Sequence, residues 1–369
     1  MQGIRPRLAT LIFEVTQRCN HSCLHCYNVW HHPESRYPRG ELDTQQTLSL
    51  LAKALDETDC QHVTLTGGEP LLRVDLNEIL DLLQERGVSV TLISNGRLLT
   101  HGKVAELVDG GVSFFELPLL SYRREVHDSL SGSAGAFDAV LRAMTRIRTH
   151  QGAFVAVFVL TQVNFSDLYN TIKLAFAFGA RGLILNRFNP GGRGVEHLEE
   201  LLPSAQQVRE ALFIAERASV ELGVPISCSV PIQPCLVDWN LQEAFPHLGF
   251  GFCAAGTPRA YYTLDPLGNL RPCNHTPVCL GNLLTESFSD LIASEQMESF
   301  TRAMPSSCRE CAIRESCRGG CKAAAQACYG SLSAEDPFLY RNKPGDHHVE
   351  NLQTFVSPFP DSLAPGVLR

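Results

Sequence analysis

Leu11-Ile-Phe-Glu-Val-Thr16 leads through Gln17-Arg18 into Cys19-Asn-His-Ser-Cys23-Leu-His-Cys26-Tyr27. An apolar, β-branched run that ends in a close set of cysteines reads as a buried strand followed by a loop able to bind metal. Runs of the same kind recur at 62–66, 88–94, 112–118, 154–160 and 183–187, with a candidate terminal strand at 226–229. Helical patterns fill the gaps at 44–56, 76–85, 103–108, 136–148, 166–178 and 204–222. Strands spaced by helices require right-handed crossovers and a parallel sheet. Six such units predict an α/β fold, a partial (β/α)6 TIM-like barrel over residues 1–231. In such a barrel the loops after the strands form the active face, so the cysteine loop lies there.

After Pro231 the character changes: helical patterns shorten, Pro and Gly become frequent, and cysteines accumulate. Of the chain's 14 cysteines, three stand between Cys19 and Cys26 and eight between Cys253 and Cys328. Residues 232–330 therefore read as a linker and a small domain whose core is metal rather than hydrocarbon, and 331–369 as an extended tail. The 369 residues carry a net charge of −8 and no basic run, which argues against nucleic acid as a partner. No apolar stretch is long enough to span a membrane, and no export signal precedes the first strand. A cytoplasmic location follows as the expectation, and there thiols stay reduced and serve as metal ligands rather than disulfides.

The spacing C-x3-C-x2-C offers three thiolates. They can hold three irons of a [4Fe–4S] cluster and leave the fourth open; a zinc site completed by His21 or His25 is the alternative. With the strand before it, the motif resembles the radical SAM superfamily, over roughly residues 8–193, and Tyr27 is a common companion there. The resemblance implies that the open iron is chelated by the amino and carboxylate groups of S-adenosylmethionine (SAM). Gly67-Gly68-Glu69-Pro70 resembles the family's segment for the SAM amino group, and Ser94-Asn95-Gly96 the segment that contacts ribose or carboxylate. In Leu185–Arg193, Arg187 is expected at the SAM carboxylate and Asn189 at ribose or adenine. Many relatives carry Ser-x-Asp-Gly after the fourth strand; here the stretch is Glu116-Leu-Pro-Leu-Leu-Ser-Tyr122, which leaves Glu116 as a candidate catalytic group. His127 reads as structural.

Cys253, Gly268 and Cys273, then Cys308, Cys311, Cys317, Cys321 and Cys328, resemble in order and spacing the SPASM extension, which binds two auxiliary clusters. The resemblance implies one cluster on Cys253, Cys273 and Cys321, the other on Cys308, Cys311, Cys317 and Cys328. For the first, Cys279 is the expected fourth ligand, with His275 or an open iron as alternatives. Cys60 and Cys228 read as buried thiols, and Cys235, where the barrel hands over to the second domain, as a second catalytic candidate. The implied activity is reductive SAM cleavage to a 5′-deoxyadenosyl radical and oxidation of a peptide, by crosslinking or at a side chain. Sulfatase-maturing relatives place an aspartate after the cysteine matching Cys273; Asn274 stands here and disfavours that substrate. The short lead-in to the first strand has no room for a leader-binding domain, so any leader recognition is expected from a separate leader-binding protein or from the barrel itself, with flavodoxin or ferredoxin as electron donor. Other readings are modification of a heme-type tetrapyrrole or another small molecule, and, from a different class, a non-catalytic iron–sulfur electron carrier.

Overall fold

The computed structural model describes residues 6–342. Strands β1 (Leu11–Thr16), β2 (His62–Gly67), β3 (Ser89–Ile93), β4 (Val112–Pro118), β5 (Phe154–Leu160), β6 (Leu183–Arg187), β7 (Ile226–Cys228), β8 (Leu248–Phe250), β9 (Tyr262–Leu264), β10 (Asn269–Arg271) and β11 (Gly281–Asn282) form one sheet. Their order is β11-β10-β9-β1-β2-β3-β4-β5-β6-β7-β8, open at both ends. Neighbours from β9 through β8 are parallel, and β9-β10-β11 is an antiparallel meander. The fold is thus the expected α/β partial barrel. Strands β8 to β11 are only two or three residues long, too short for a period-2 pattern to show in the sequence.

Parallel strands covered on both faces read as continuous apolar runs, and all six residues of β2 are buried. The crossover helices bury one stripe each, such as Leu50, Leu51 and Ala54, or Val140, Ala143 and Ile147. Capping boxes start two of them: Asp43 with Gln46 before Thr44–Glu57, and Ser204 with Gln207 before Ala205–Leu222. His127 is structural, its Nδ1 accepting from the Leu120 amide at 3.2 Å. No helix among the described residues is long and apolar enough to cross a membrane.

The cysteine-rich part is fused to the barrel through this sheet. β9 pairs with β1 (Leu11 opposite Tyr262, Phe13 opposite Leu264), so the meander extends the barrel's own first edge. Its turn is tied by Asp265, whose Oδ1 accepts from the Leu267 and Asn269 amides at 2.8 Å each, with Gly268 at φ +87° between them. Arg271 on β10 then reaches across β9 to the carboxylate of Glu14 on β1, both side chains at most 1% exposed. A second buried pair, Arg187 with Asp336, clamps the end of β6 to the segment after the last cysteine. Of the tail expected over 331–369, Pro337–Asn342 is a helix with Phe338 fully buried, and 343–369 lie outside the described residues.

Removing one partner of a buried ion pair leaves the other charge stranded. Arg271→Met should lower unfolding free energy by about 3–5 kcal/mol, while Arg271→Met with Glu14→Gln should recover much of that loss. Denaturant titration of the three proteins checks it; equal destabilisation by the single and double changes would refute the coupling.

Candidate active site

The cysteine loop follows β1 and is held by backbone contacts from several strand ends. Leu24 N donates to Leu130 O at 3.0 Å, Gly194 N to Cys26 O at 3.0 Å, and Asn28 Nδ2 to Gly67 O at 2.9 Å. The end of β2 presses on the loop's entry: Gly68 N donates to Thr16 O and Glu69 N to Arg18 O, each at 2.8 Å. A β-carbon on Gly67 would lie 2.3 Å from Thr16 O and one on Gly68 2.1 Å from Arg18 O, so this approach requires both glycines. The sequence reading gave those glycines to a ligand; their first task here is to bring Glu69 beside Cys19.

Glu69 is fully buried. Its Oε1 accepts from Ser94 Oγ at 2.9 Å and its Oε2 from Asn95 N at 2.9 Å, while Asn95 Nδ2 bonds Asn20 Oδ1 at 2.7 Å. Burial pushes its carboxyl up to about 7 against these hydrogen bonds. The three thiols lie within electrostatic reach of one another, and burial pushes that of Cys26 up to about 11. Glu69 acts on Cys19, and the guanidinium of Arg193 acts on all three cysteines. Cys26 Sγ also meets His31 Nδ1 at 3.3 Å. Neither Arg193 nor His31 was singled out from sequence; a cation ending the Gly-Gly-Arg loop after β6 was the available signal.

Other expected contacts fall elsewhere. Arg187, assigned from sequence to the SAM carboxylate, is instead committed to Asp336, to Pro231 O at 2.7 Å and to Phe188 O at 3.3 Å, stacked on Phe338. Asn189 points to the second cysteine set, its Nδ2 donating to Cys321 Sγ at 3.2 Å. Glu116 is half-buried on β4, and burial pushes its carboxyl up to about 7 with no hydrogen bond to it among the described residues. Its field reaches Tyr27.

Tyr27 links the first cysteine set to the second. Its ring packs on His275 at a centroid distance of 4.1 Å, and its hydroxyl accepts from Asn274 Nδ2 at 3.0 Å. Asn274 and His275 follow Cys273, whose thiol burial pushes up to about 12, with Cys321 and Cys253 in its field. Tyr261 faces the same three thiols. Cys279, the expected fourth ligand, is exposed, its thiol bonds Gly281 O at 3.4 Å, and the charged groups around it are Asp265, Arg271 and Glu286. A third set gathers Cys308, Cys311 and Cys317, with Cys235 among them; Cys328 lies near Cys321 and Asp336.

Among the described residues no three His, Cys, Asp or Glu groups converge on a single ion. A tetrahedral zinc would need sulfurs about 2.3 Å from one centre, whereas a cluster takes each sulfur on a different iron. Burial holds His21 and His25 down to about 4.

The radical SAM superfamily matches this chain over residues 13–175, and the SPASM iron–sulfur cluster-binding domain over residues 253–312. The PqqA peptide cyclase of Gluconobacter oxydans is 26% identical, with 95% of each chain covered. The AdoMet-dependent heme synthase of Methanosarcina barkeri is also 26% identical, over 91% of this chain and 97% of that one. Streptococcus suis SuiB, solved with its precursor peptide SuiA, shares the fold at a TM-score of 0.69 and 14% identity, over 90% of this chain and 75% of that one. The chain thus carries a radical SAM domain and a SPASM iron–sulfur cluster-binding domain, and is a SAM-cleaving enzyme that binds iron–sulfur clusters.

Proposed function

We propose that the enzyme oxidises a peptide, by crosslinking or side-chain oxidation, and that Cys19, Cys23 and Cys26 hold a [4Fe–4S] cluster with one iron open. The observation that carries this is three thiol sets in series, the first beside Glu69 and joined to the second through Tyr27. When bound, SAM and the reduced cluster supply a 5′-deoxyadenosyl radical that removes hydrogen from an unactivated carbon. Glu69, fixed by Ser94 and Asn95, keeps lone pairs to accept the SAM ammonium. Arg193 supplies positive charge beside the three thiolates. Cys253, Cys273 and Cys321 hold one auxiliary [4Fe–4S] cluster, with His275 or an open iron completing it, and Cys308, Cys311 and Cys317 hold another. Three clusters suit a net reaction that withdraws electrons, and an electron carrier would have no use for the Glu69 site.

One relative is named for a peptide and one for heme. The buried arginines favour the peptide. Arg73, Arg187 and Arg271 are already neutralised by Asp75, Asp336 and Glu14, whereas a polycarboxylate tetrapyrrole needs free cations. Glu116, unpaired near Tyr27, is the candidate base, since a carboxyl near 7 can take a proton at neutral pH. The reading places the enzyme in the cytoplasm, reduced by flavodoxin or ferredoxin, with a separate protein presenting the peptide.

Anaerobically reconstituted protein should hold about twelve irons per chain, and with SAM and reductant should form 5′-deoxyadenosine. Cys19→Ala should abolish that product while keeping about eight irons. About four irons in the unaltered protein would remove both auxiliary clusters from the account. Incubation with short peptides encoded beside the gene should give a product lighter by two hydrogen atoms, and decarboxylation of an added tetrapyrrole instead would establish the other reading.

Only the ionised Glu69 attracts an ammonium, so SAM affinity should rise about tenfold per pH unit below about 7 and level off above it. Glu69→Gln should weaken SAM by about 10- to 100-fold and flatten that profile. Equilibrium binding to loaded protein on both sides of neutrality checks this; unchanged affinity in the variant would remove Glu69 from the site.

A further inference from the structure

We infer that Cys235, contributed by the segment leaving the barrel, is the fourth ligand of the cluster on Cys308, Cys311 and Cys317, in the place that the SPASM resemblance implies for Cys328. The inference rests on the reading that this set holds a cluster, and goes beyond it by naming a ligand outside the cysteine-rich motif.

Cys235 sits in the single helical turn Pro234–Val237, after β7, closed by Leu236 N donating to Gln233 O at 3.0 Å. That turn is docked on the cysteine-bearing loop. Gln233 is 1% exposed, and a β-carbon on Gly320 would lie 2.0 Å from its Nε2. Gly320, at φ +88°, stands between Cys317 and Cys321. The adjacent Gly319 packs on Pro305, with the Cys308 β-carbon 3.8 Å from where its own would be. One contact therefore fixes Cys235 against the loop that carries Cys308 and Cys317.

The thiols lie within electrostatic reach of one another accordingly, with Cys308 and Cys311 acting on Cys235. Cys235, Cys308 and Cys311 in turn act on Cys317. Cys328 follows another pattern. It lies near the end of the helix Lys322–Tyr329, and the charged groups acting on it are Asp336 and Cys321.

Four neighbouring thiols are mutually repulsive as thiolates unless cations stand among them. A [4Fe–4S] cluster with no open iron takes four such ligands, and Cys235 makes the set complete without borrowing from the helix of Cys328. Because Cys235 belongs to the chain just after β7, the cluster would also tie the end of the barrel to the SPASM loop, as a metal clip closing a long loop.

The test uses the full-length, anaerobically loaded enzyme and reads metal rather than turnover. Cys235→Ala should lose the spectrum of one auxiliary cluster, about four irons of about twelve, as Cys308→Ala does, while Cys328→Ala keeps all of it. Full iron in Cys235→Ala with loss in Cys328→Ala would overturn the inference. Unaltered enzyme holding about four irons would instead sink the underlying reading. Alkylation of the unaltered enzyme avoids any folding defect of a variant: Cys235 should be protected when loaded and react after iron is chelated away. Equal reactivity of Cys235 in both states would overturn the assignment.

Discussion

The carboxylate of Glu14 is out of reach of water and is answered by one cation, Arg271, which lies on the far side of β9. Much else depends on that pair. Arg271 also donates to Thr276 O at 2.9 Å and stacks on Tyr37, whose hydroxyl bonds Asp265 in the meander's turn. The residues between Arg271 and Thr276 are Pro272, Cys273, Asn274 and His275. Holding Arg271 on β1 therefore sets Asn274 and His275 against Tyr27, the residue after Cys26. Two cysteine sets far apart in sequence meet because one strand edge and one ion pair place them.

Electrostatics gives the same arrangement a consequence for assembly. Burial pushes the thiols of Cys26 and Cys321 up to about 11, and those of Cys273, Cys317 and Cys235 up to about 12. Such groups carry protons in the metal-free chain, so cluster binding at these thiols would be coupled to proton release.

Arg187 shows how a plausible motif is redirected by its surroundings. At the end of β6 an arginine resembles a SAM ligand, yet Asp336 takes its guanidinium and also accepts from the Cys321 amide at 2.8 Å. The pair therefore holds the backbone at Cys321. The positive charge near the first thiols comes from Arg193 instead, on the loop beyond it. Asn189, on the same loop, likewise serves Cys321.

The barrel strands were legible before folding was considered, because parallel strands buried on both faces leave continuous apolar runs such as 62–66 and 154–160. So was the first cysteine set, since three thiolates within one short loop have few ways to spread. Glu69 was legible through the resemblance of Gly67-Gly68-Glu69-Pro70, while its approach to Cys19 came from the fold. Tertiary structure alone decided which distant cysteines meet. Cys235 joins Cys308, Cys311 and Cys317, and Cys279 stands apart among Asp265, Arg271 and Glu286. Spacing records how far a ligand lies along the chain, whereas these encounters are set by two- and three-residue strands and by Gly320 against Gln233, contacts that leave no period in the sequence.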